Sequence, residues 1–226
     1  MLKESLEAGK IGNLEVENTS INGTAFAIVR IDPSRNGENA TQPMLWTVIE
    51  KKSKPATGRI AGQISFPGES RKLGKNMPDT IAGGLFGEFS NDRSLIESHV
   101  FFTPSWFLAN RLQIENKPFD LAILIFAGSL NQEINPLDTN EVAPNGFMTM
   151  EEIKRKDPQR DQGIVRGFVH QVVDLEISEG LIKRAVLEYE RGLRRPISTI
   201  LPKESYFPQQ FFQDREKLKD ILGQVA

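Results

Sequence analysis

The stretch GEFSNDRSL, residues 87–95, carries oxygen-bearing side chains of the kind that hold a metal ion. Glu88, Asn91 and Asp92 are spaced i, i+3 and i+4, so on a helix they would project from one face. Mg²⁺ binds a few carboxylate oxygens together with waters and substrate phosphates. We therefore predict a cation site on this face, with Glu88 and Asp92 supplying the charge. The alternative is an ordinary solvated face of a helix.

A basic segment earlier in the chain is a candidate for binding phosphate. KKSKPATGR, residues 51–59, offers Lys54 and Arg59 to the phosphates of a substrate. The alternative is a basic hairpin edge, which discourages aggregation by repelling other strands.

The element that must position the acids is predicted to be a helix over residues 80–92. Asp79 would cap its N-terminus and complement the helix dipole. The same segment contains Gly83, Gly84 and Gly87, each of which costs a helix about 1 kcal/mol relative to alanine. The glycines therefore need a reason outside helix propensity.

The remaining elements follow a mixed order in which a sheet comes first and helices come later. Strands are predicted at 24–31, 43–52, 62–68, 95–104 and 119–130, with the first two antiparallel and the last central because it is apolar on both faces. Helices are predicted at 163–175, at 178–193 with Ser178 as the N-cap, and at 209–222.

The composition restricts the class of protein. The chain has 226 residues and is 38% hydrophobic, which is enough for one large domain with a core. It has 28 basic and 30 acidic residues, so no overall field favours nucleic acid or an anionic membrane. It has no cysteine, which excludes disulfides and thiolate metal sites. No apolar run is long enough to cross a bilayer, so we expect a soluble, cytoplasmic protein without a membrane partner.

The region around Glu88 resembles the motif of the Nudix hydrolase superfamily. That motif reads Gly, five residues, Glu, seven residues, then Arg-Glu-apolar-x-Glu-Glu-x-Gly-apolar. Glu88 matches the first Glu of the second half, Asn91 and Asp92 match the Glu-Glu pair, and Asp79 matches the upstream Glu. Gly87, Asn91 and Ser94 depart from the motif, which has Arg, Glu and Gly at these positions.

Two flanking segments are similar to the same family. GQISFPG, residues 62–68, resembles the strand and turn that enter the Nudix loop, and DTNEVAPNGFMTMEEI, residues 138–153, resembles the acidic loop, strand and helix that close the fold. In the family the motif arginine orients the acids. Here Lys72, Lys75 and Arg93 are the candidates to replace it.

The resemblance implies a fold and an activity. The fold would be α/β, a Nudix-type mixed β-sheet sandwiched between helices over residues 1–175, with a helical extension at 176–226 packed on it. The activity would be Mg²⁺- or Mn²⁺-dependent hydrolysis of a nucleoside diphosphate linked to another moiety. Glu88 and Glu141 would be catalytic, although Glu141 is alternatively a solvated loop acid. A Nudix helix packs closely on its sheet, and glycines would permit that approach.

Two other functions remain open at this point. A catalytically inactive Nudix-fold protein that binds a nucleotide as a sensor or regulator is favoured by the losses at Gly87 and Asn91. An interaction module would use its C-terminal helices to dimerise, so a homodimer is one outcome. Nucleic acid is not expected as a partner, because Arg191, Arg194 and Arg195 are too few charges to form a basic surface.

Overall fold

The structure, a computed structural model, describes residues 23–31, 43–53, 59–70, 77–114, 116–129, 133–137 and 139–202. Its central strand is β1, Gly23–Arg30, in which every side chain is buried. Successive side chains of a strand point to opposite faces. Phe26 therefore lies in one apolar cluster and Ala27 in another, on the other face of the sheet.

The described strands form one mixed sheet in the order β3-β2-β1-β7-β5-β9, with β4 beside β1, β6 beside β7 and β8 beside β2. Strand β1 pairs with β7 in parallel, and its pairing with β2 is antiparallel, as predicted. The other strands are β2 Met44–Glu50, β3 Ile64–Ser65, β4 Gly68–Ser70, β5 Val100–Phe102, β6 Phe107–Ile114, β7 Lys117–Phe126, β8 Val142–Thr149 and β9 Arg195–Pro196.

Helices cover both faces of this sheet, which confirms the predicted mixed α/β architecture. On one face, α1 and α2 pack with Phe26 and Trp46. On the other, α4 and α5 pack with Ala27 and Ile123. The helices are α1 Met77–Glu88, α2 Arg93–His99, α3 Met150–Lys156, α4 Gly167–Glu179 and α5 Leu181–Glu190. Within the described ranges, no helix is long and apolar enough to span a membrane.

Helix α1 differs from the prediction at both ends. It begins at Met77, so Asp79 lies in its first turn, and it ends at Glu88 instead of residue 92. Asp92 has an extended backbone and its side chain accepts a hydrogen bond from the Leu95 N–H, so it is the N-cap of α2. The prediction of a strand over 95–104 was wrong for its first half, which is helix, and right only for Val100–Phe102.

The C-terminal helices are continuous with the core of the domain. Helix α4 runs without a break across residues 175 and 176, and Gly180, in the left-handed conformation, ends it. Ser178 is therefore inside α4, and its predicted role as an N-cap was wrong. Leu181 and Ala185 of α5 are buried in the same cluster as β1 and β7. The helix predicted at 209–222 lies outside the described residues.

Candidate functional site

Charged side chains converge where the ends of β2 and α1 meet the segments around residues 59, 141 and 166. Arg59 lies at the centre of this group. Its Nε is 2.8 Å from Glu50 Oε2, its Nη1 is 3.1 Å from Glu141 Oε2, and its Nη2 is 3.8 Å from Glu88 Oε1. Arg166 Nη1 lies 3.2 Å from Glu50 Oε1. We name these five residues, Glu50, Arg59, Glu88, Glu141 and Arg166, the acid–arginine cluster.

Backbone hydrogen bonds between distant segments bring the cluster together. The Lys51 N–H donates to the Glu141 carbonyl at 2.7 Å, which joins the end of β2 to the start of β8. The Gly62 N–H donates to the Glu50 carbonyl at 2.7 Å, which folds the Arg59 segment back onto β2. The cluster is therefore a product of strand pairing and not of any single helix.

Glu88 occupies the last position of α1 and is held there from two sides. Its Oε2 accepts a hydrogen bond of 2.9 Å from the N–H of Gly68, the first residue of β4. Its carbonyl accepts a hydrogen bond of 3.2 Å from the indole Nε1 of Trp46. The carboxyl and the backbone of Glu88 are thus both fixed, so its second oxygen is aimed at Arg59.

Burial has the largest effect on the pKa of the Glu88 carboxyl. The residue is only 6% exposed, and burial raises the pKa of its carboxyl from 4.5 to about 8, although Arg59 and the Gly68 N–H act in the opposite direction. The guanidinium of Arg59 is closer to Glu50 and Glu141 than to Glu88. Glu88 is therefore a buried carboxyl that can take up and release a proton near neutral pH.

Some of the predicted site residues lie together in the structure, and others do not. Glu88, Glu141 and Arg59, which the sequence suggested separately, lie together in the cluster. Asn91 is exposed and lies beyond the end of α1, and Asp92 caps α2. The expected single helix face with Glu88, Asn91 and Asp92 is therefore absent. Lys54 lies outside the described residues.

Arg59, and not Arg93, is the arginine beside Glu88. Arg93 pairs with Glu97 on its own helix at 2.6 Å and also donates to the Pro202 carbonyl. Lys72 and Lys75, the other candidates, lie outside the described residues. Arg59 was predicted to contact a substrate, and the structure gives it contacts to acids.

Glu50 and Arg166 belong to the cluster but were missed by the sequence reasoning. A signal for Glu50 exists, because strand side chains alternate and Glu50 shares a face of β2 with Trp46 and Val48, which are buried. A charged residue at such a position is costly unless it is paired. Arg166 precedes α4 and has no comparable local signal.

A divalent cation has to be considered at this site because the sequence resembles a family that uses one. Within the described part of the chain, no three acidic or histidine side chains are arranged to hold a metal ion. Mg²⁺, however, is commonly held by one or two carboxylates plus substrate phosphates. Glu88 and Glu141 provide oxygen ligands of that type, so the residues fit a cation that is bound together with a phosphate ligand.

Comparison with known proteins finds similar structures and no similar sequence. No protein-family model and no curated protein matches the chain. Solved structures that resemble it include a Nudix hydrolase from M. smegmatis (TM-score 0.39, 7% identity, 60% of this chain and 74% of that one). The Nudix domain of Shewanella oneidensis NrtR in complex with ADP-ribose also matches (TM-score 0.39, 10% identity, 66% and 86%).

A further match is the Ap4A hydrolase of C. elegans, with a TM-score of 0.40, 7% identity, and coverage of 69% of this chain and 97% of that one. Two of these three structures carry the name of the Nudix family. Similarity of this extent carries no inference about activity, so the function of the chain has to be argued from its own side chains.

Proposed function

We propose that the chain is a Nudix-type hydrolase that cleaves the diphosphate of a nucleoside diphosphate linked to another moiety, with Mg²⁺ or Mn²⁺ as cofactor. The observation that carries this proposal is the buried carboxyl of Glu88, which Gly68 holds in place beside Arg59 and Glu141. Hydrolysis of a diphosphate needs a group that takes a proton from water, and such a group is most effective when its pKa is near the working pH.

Glu88 has the properties of that group. Its carboxylate would take a proton from water as the water oxygen bonds to phosphorus, the bond from phosphorus to the bridging oxygen breaks, and the diphosphate separates into two phosphate products. Its burial and the hydrogen bond from the Gly68 N–H hold the carboxylate in position to accept this proton. Arg59 would orient Glu88 and Glu141 and reduce the repulsion between them and the phosphates.

The cofactor enters this proposal through the side chains that would hold it. Glu88 and Glu141 are the carboxylates for a divalent cation, and the phosphates of the substrate would complete its ligands. When bound, the cation neutralises phosphate charge and lowers the pKa of a bound water. The roles of Asn91 and Asp92 as ligands remain predictions from the sequence.

A turnover screen tests the proposal. The purified protein is incubated with nucleoside diphosphate compounds such as ADP-ribose, with Mg²⁺, Mn²⁺ or EDTA, in water labelled with ¹⁸O. Chromatography and mass spectrometry then identify the products. The proposal expects cleavage at the diphosphate, ¹⁸O in one phosphate product, and no cleavage in EDTA. Absence of turnover across the panel in both cations would contradict it.

A nucleotide-binding protein without turnover is the second candidate. The structural feature that supports it is Asp92, whose carboxylate accepts a hydrogen bond from the Leu95 N–H and so caps α2. Calorimetry with Mg²⁺ and ADP-ribose separates the two functions. Binding without release of phosphate-containing products would support a sensor or regulator, and binding with product release would support the hydrolase.

A further inference from the structure

Glu50 is the link between the two arginines of the cluster. Its Oε1 lies 3.2 Å from Arg166 Nη1, and its Oε2 lies 2.8 Å from Arg59 Nε. Each carboxylate oxygen therefore faces a different guanidinium. The contacts form a chain that runs from Arg166 through Glu50 to Arg59, and from there to Glu88 and Glu141.

The burial of Glu50 distinguishes this chain from a surface ion pair. Glu50 is 1% exposed, and the side chains of Arg59 and Arg166 are 13% and 11% exposed. Among the described residues, Glu50 Oε2 has no hydrogen-bond partner, so its contact with Arg59 Nε is close but not aligned as a hydrogen bond. A buried carboxylate oxygen of this kind depends on the nearby positive charge. Arg59 is thereby drawn towards Glu50.

Arg166, at one end of this chain of contacts, is held in place by the fold. The Arg166 N–H donates to the Ile64 carbonyl at 3.0 Å, which ties the start of α4 to strand β3. The Arg166 guanidinium lies over the ring of Phe168, 4.8 Å from its centroid. The Glu50 N–H in turn donates to the Gln63 carbonyl at 2.9 Å. Arg166 and Glu50 are therefore held by backbone pairing before they contact Arg59.

Holding the Arg59 guanidinium in one conformation has an entropic cost. Arg59 lies outside the strands and helices that flank it, between β2 and β3. An arginine side chain loses rotamer freedom when it is held in one conformation. A partner that is already fixed reduces the number of arrangements in which Arg59 can rest.

We propose that Glu50 and Arg166 are positioning residues, which hold the Arg59 guanidinium where it contacts Glu88 and Glu141. The catalytic part of this inference rests on the proposed hydrolase function. The positional part does not, because it concerns the protein without substrate. Arg166→Gln removes the charge at the far end of the chain and leaves the contacts of Arg59 with Glu88 and Glu141 chemically intact.

The loop that contains Arg166 also offers a matched control. Arg160 makes a bidentate ion pair with Asp174, with both distances 2.6 Å, and both side chains are exposed. Arg160→Gln thus removes an ion pair of an arginine that is close to Arg166 in sequence, and it changes no contact of the acid–arginine cluster. Arg166→Lys restores the charge at the far end, although not the geometry of the guanidinium.

The first readout is the Arg59 Nε–H signal in ¹⁵N–¹H spectra of the free protein, which Arg59→Lys identifies. Arg166→Gln is expected to raise the hydrogen-exchange rate of this Nε–H by about tenfold, because a displaced guanidinium loses its Nη1 hydrogen bond to Glu141 and opens to water. Arg166→Lys should recover part of the slow exchange, and Arg160→Gln should leave it unchanged. If Arg166→Gln does not fold, Glu50→Asp is measured in its place, because it retracts the carboxylate but keeps the charge.

The second readout is the separation of kcat from KM on a compound that the wild type hydrolyses. Displacement of the orienting arginine by about 1 Å is expected to lower kcat on the order of a hundredfold while KM changes little. An unchanged Arg59 signal in Arg166→Gln, or an equal change in Arg160→Gln, would overturn the inference. If the wild type hydrolyses no compound, the proposed function fails, and the exchange rates still decide the positioning role.

Discussion

Gly84 determines how closely helix α1 approaches the sheet, and Gly84→Ala tests that approach. A Cβ atom at this position would lie 2.1, 2.7 and 2.9 Å from three carbons of the Phe26 ring. Carbon atoms normally pack at about 3.5–4.0 Å, so the ring or the helix would have to move by about 1 Å or more. Phe26 is fully buried in β1, which leaves its ring no open space.

The cost follows from two opposing terms. Overpacking in a core costs about 1–3 kcal/mol, and the short contacts with Phe26 place this substitution near the upper end. Alanine gains about 1 kcal/mol over glycine within a helix. The net expectation is a loss of about 2 kcal/mol in the free energy of unfolding. Glu88 follows one turn later on the same helix, so turnover should fall as well.

Urea denaturation followed by tryptophan fluorescence measures this loss. The matched control is Gly167→Ala at the first residue of α4, where an added Cβ meets no atom within 4 Å. The control should be neutral or more stable by up to about 1 kcal/mol. In a Phe26→Leu background, Gly84→Ala should cost less, because the ring that it meets is gone. Equal stability of Gly84→Ala and Gly167→Ala would refute the role of the close approach.

Two further predictions concern protonation and capping. The pKa of Glu88 is about 8 in the folded protein, and its ordinary value is 4.5. As the pH rises, the unfolded chain therefore loses this proton before the folded protein does. Glu88 thus lowers the free energy of unfolding progressively between pH 4.5 and about 8. The slope of the free energy of unfolding against pH is at most about 1.4 kcal/mol per pH unit. The urea midpoints of Glu88→Gln should not show this slope. Those of Glu97→Gln, which removes a partly exposed partner of Arg93, should show it. Asp92→Ala should cost about 1 kcal/mol in thermal denaturation through loss of the bond to the Leu95 N–H, while Asp92→Asn should retain the cap. If Asp92→Asn is as stable as the wild type but binds Mn²⁺ more weakly in a titration, Asp92 is a ligand in addition to a cap.

The sheet was predictable because its signal is local. Strands β1 and β7 each contain an apolar run, and the sequence predicts both strands and the central place of β7. The helix over 80–92 was wrong at its C-terminal end because helical spacing does not indicate where a helix ends. There, Asp92 accepts a hydrogen bond from a backbone N–H and starts a new helix. Side chains of this type compete with the continuation of a helix.

The site was only partly predictable because its members come from distant segments. Glu88, Glu141 and Arg59 were each identified from the sequence. Arg59 and Glu141, however, are 82 residues apart. They meet because β2 pairs with β8 and because the Gly62 N–H donates to the Glu50 carbonyl, which brings the Arg59 segment back to β2. Which residues face one another depends on strand register, which a single sequence does not specify. The alternation of β2 carries a signal for Glu50, but only the structure brings Arg166 within 3.2 Å of it.

The measurement that tests the central claim most directly is the kcat of Glu88→Gln relative to the wild type, on a hydrolysed nucleoside diphosphate compound at saturating Mg²⁺. Glutamine keeps the shape of the side chain but neither takes a proton nor carries charge. If Glu88 is the proton acceptor, kcat falls by about 10²–10⁴-fold in this variant, and its Tm at pH 8 is unchanged or higher. The exposed-face variant Glu97→Gln should retain wild-type kcat. Turnover by Glu88→Gln at the wild-type rate would contradict the account, because the buried carboxyl would then have no part in the reaction.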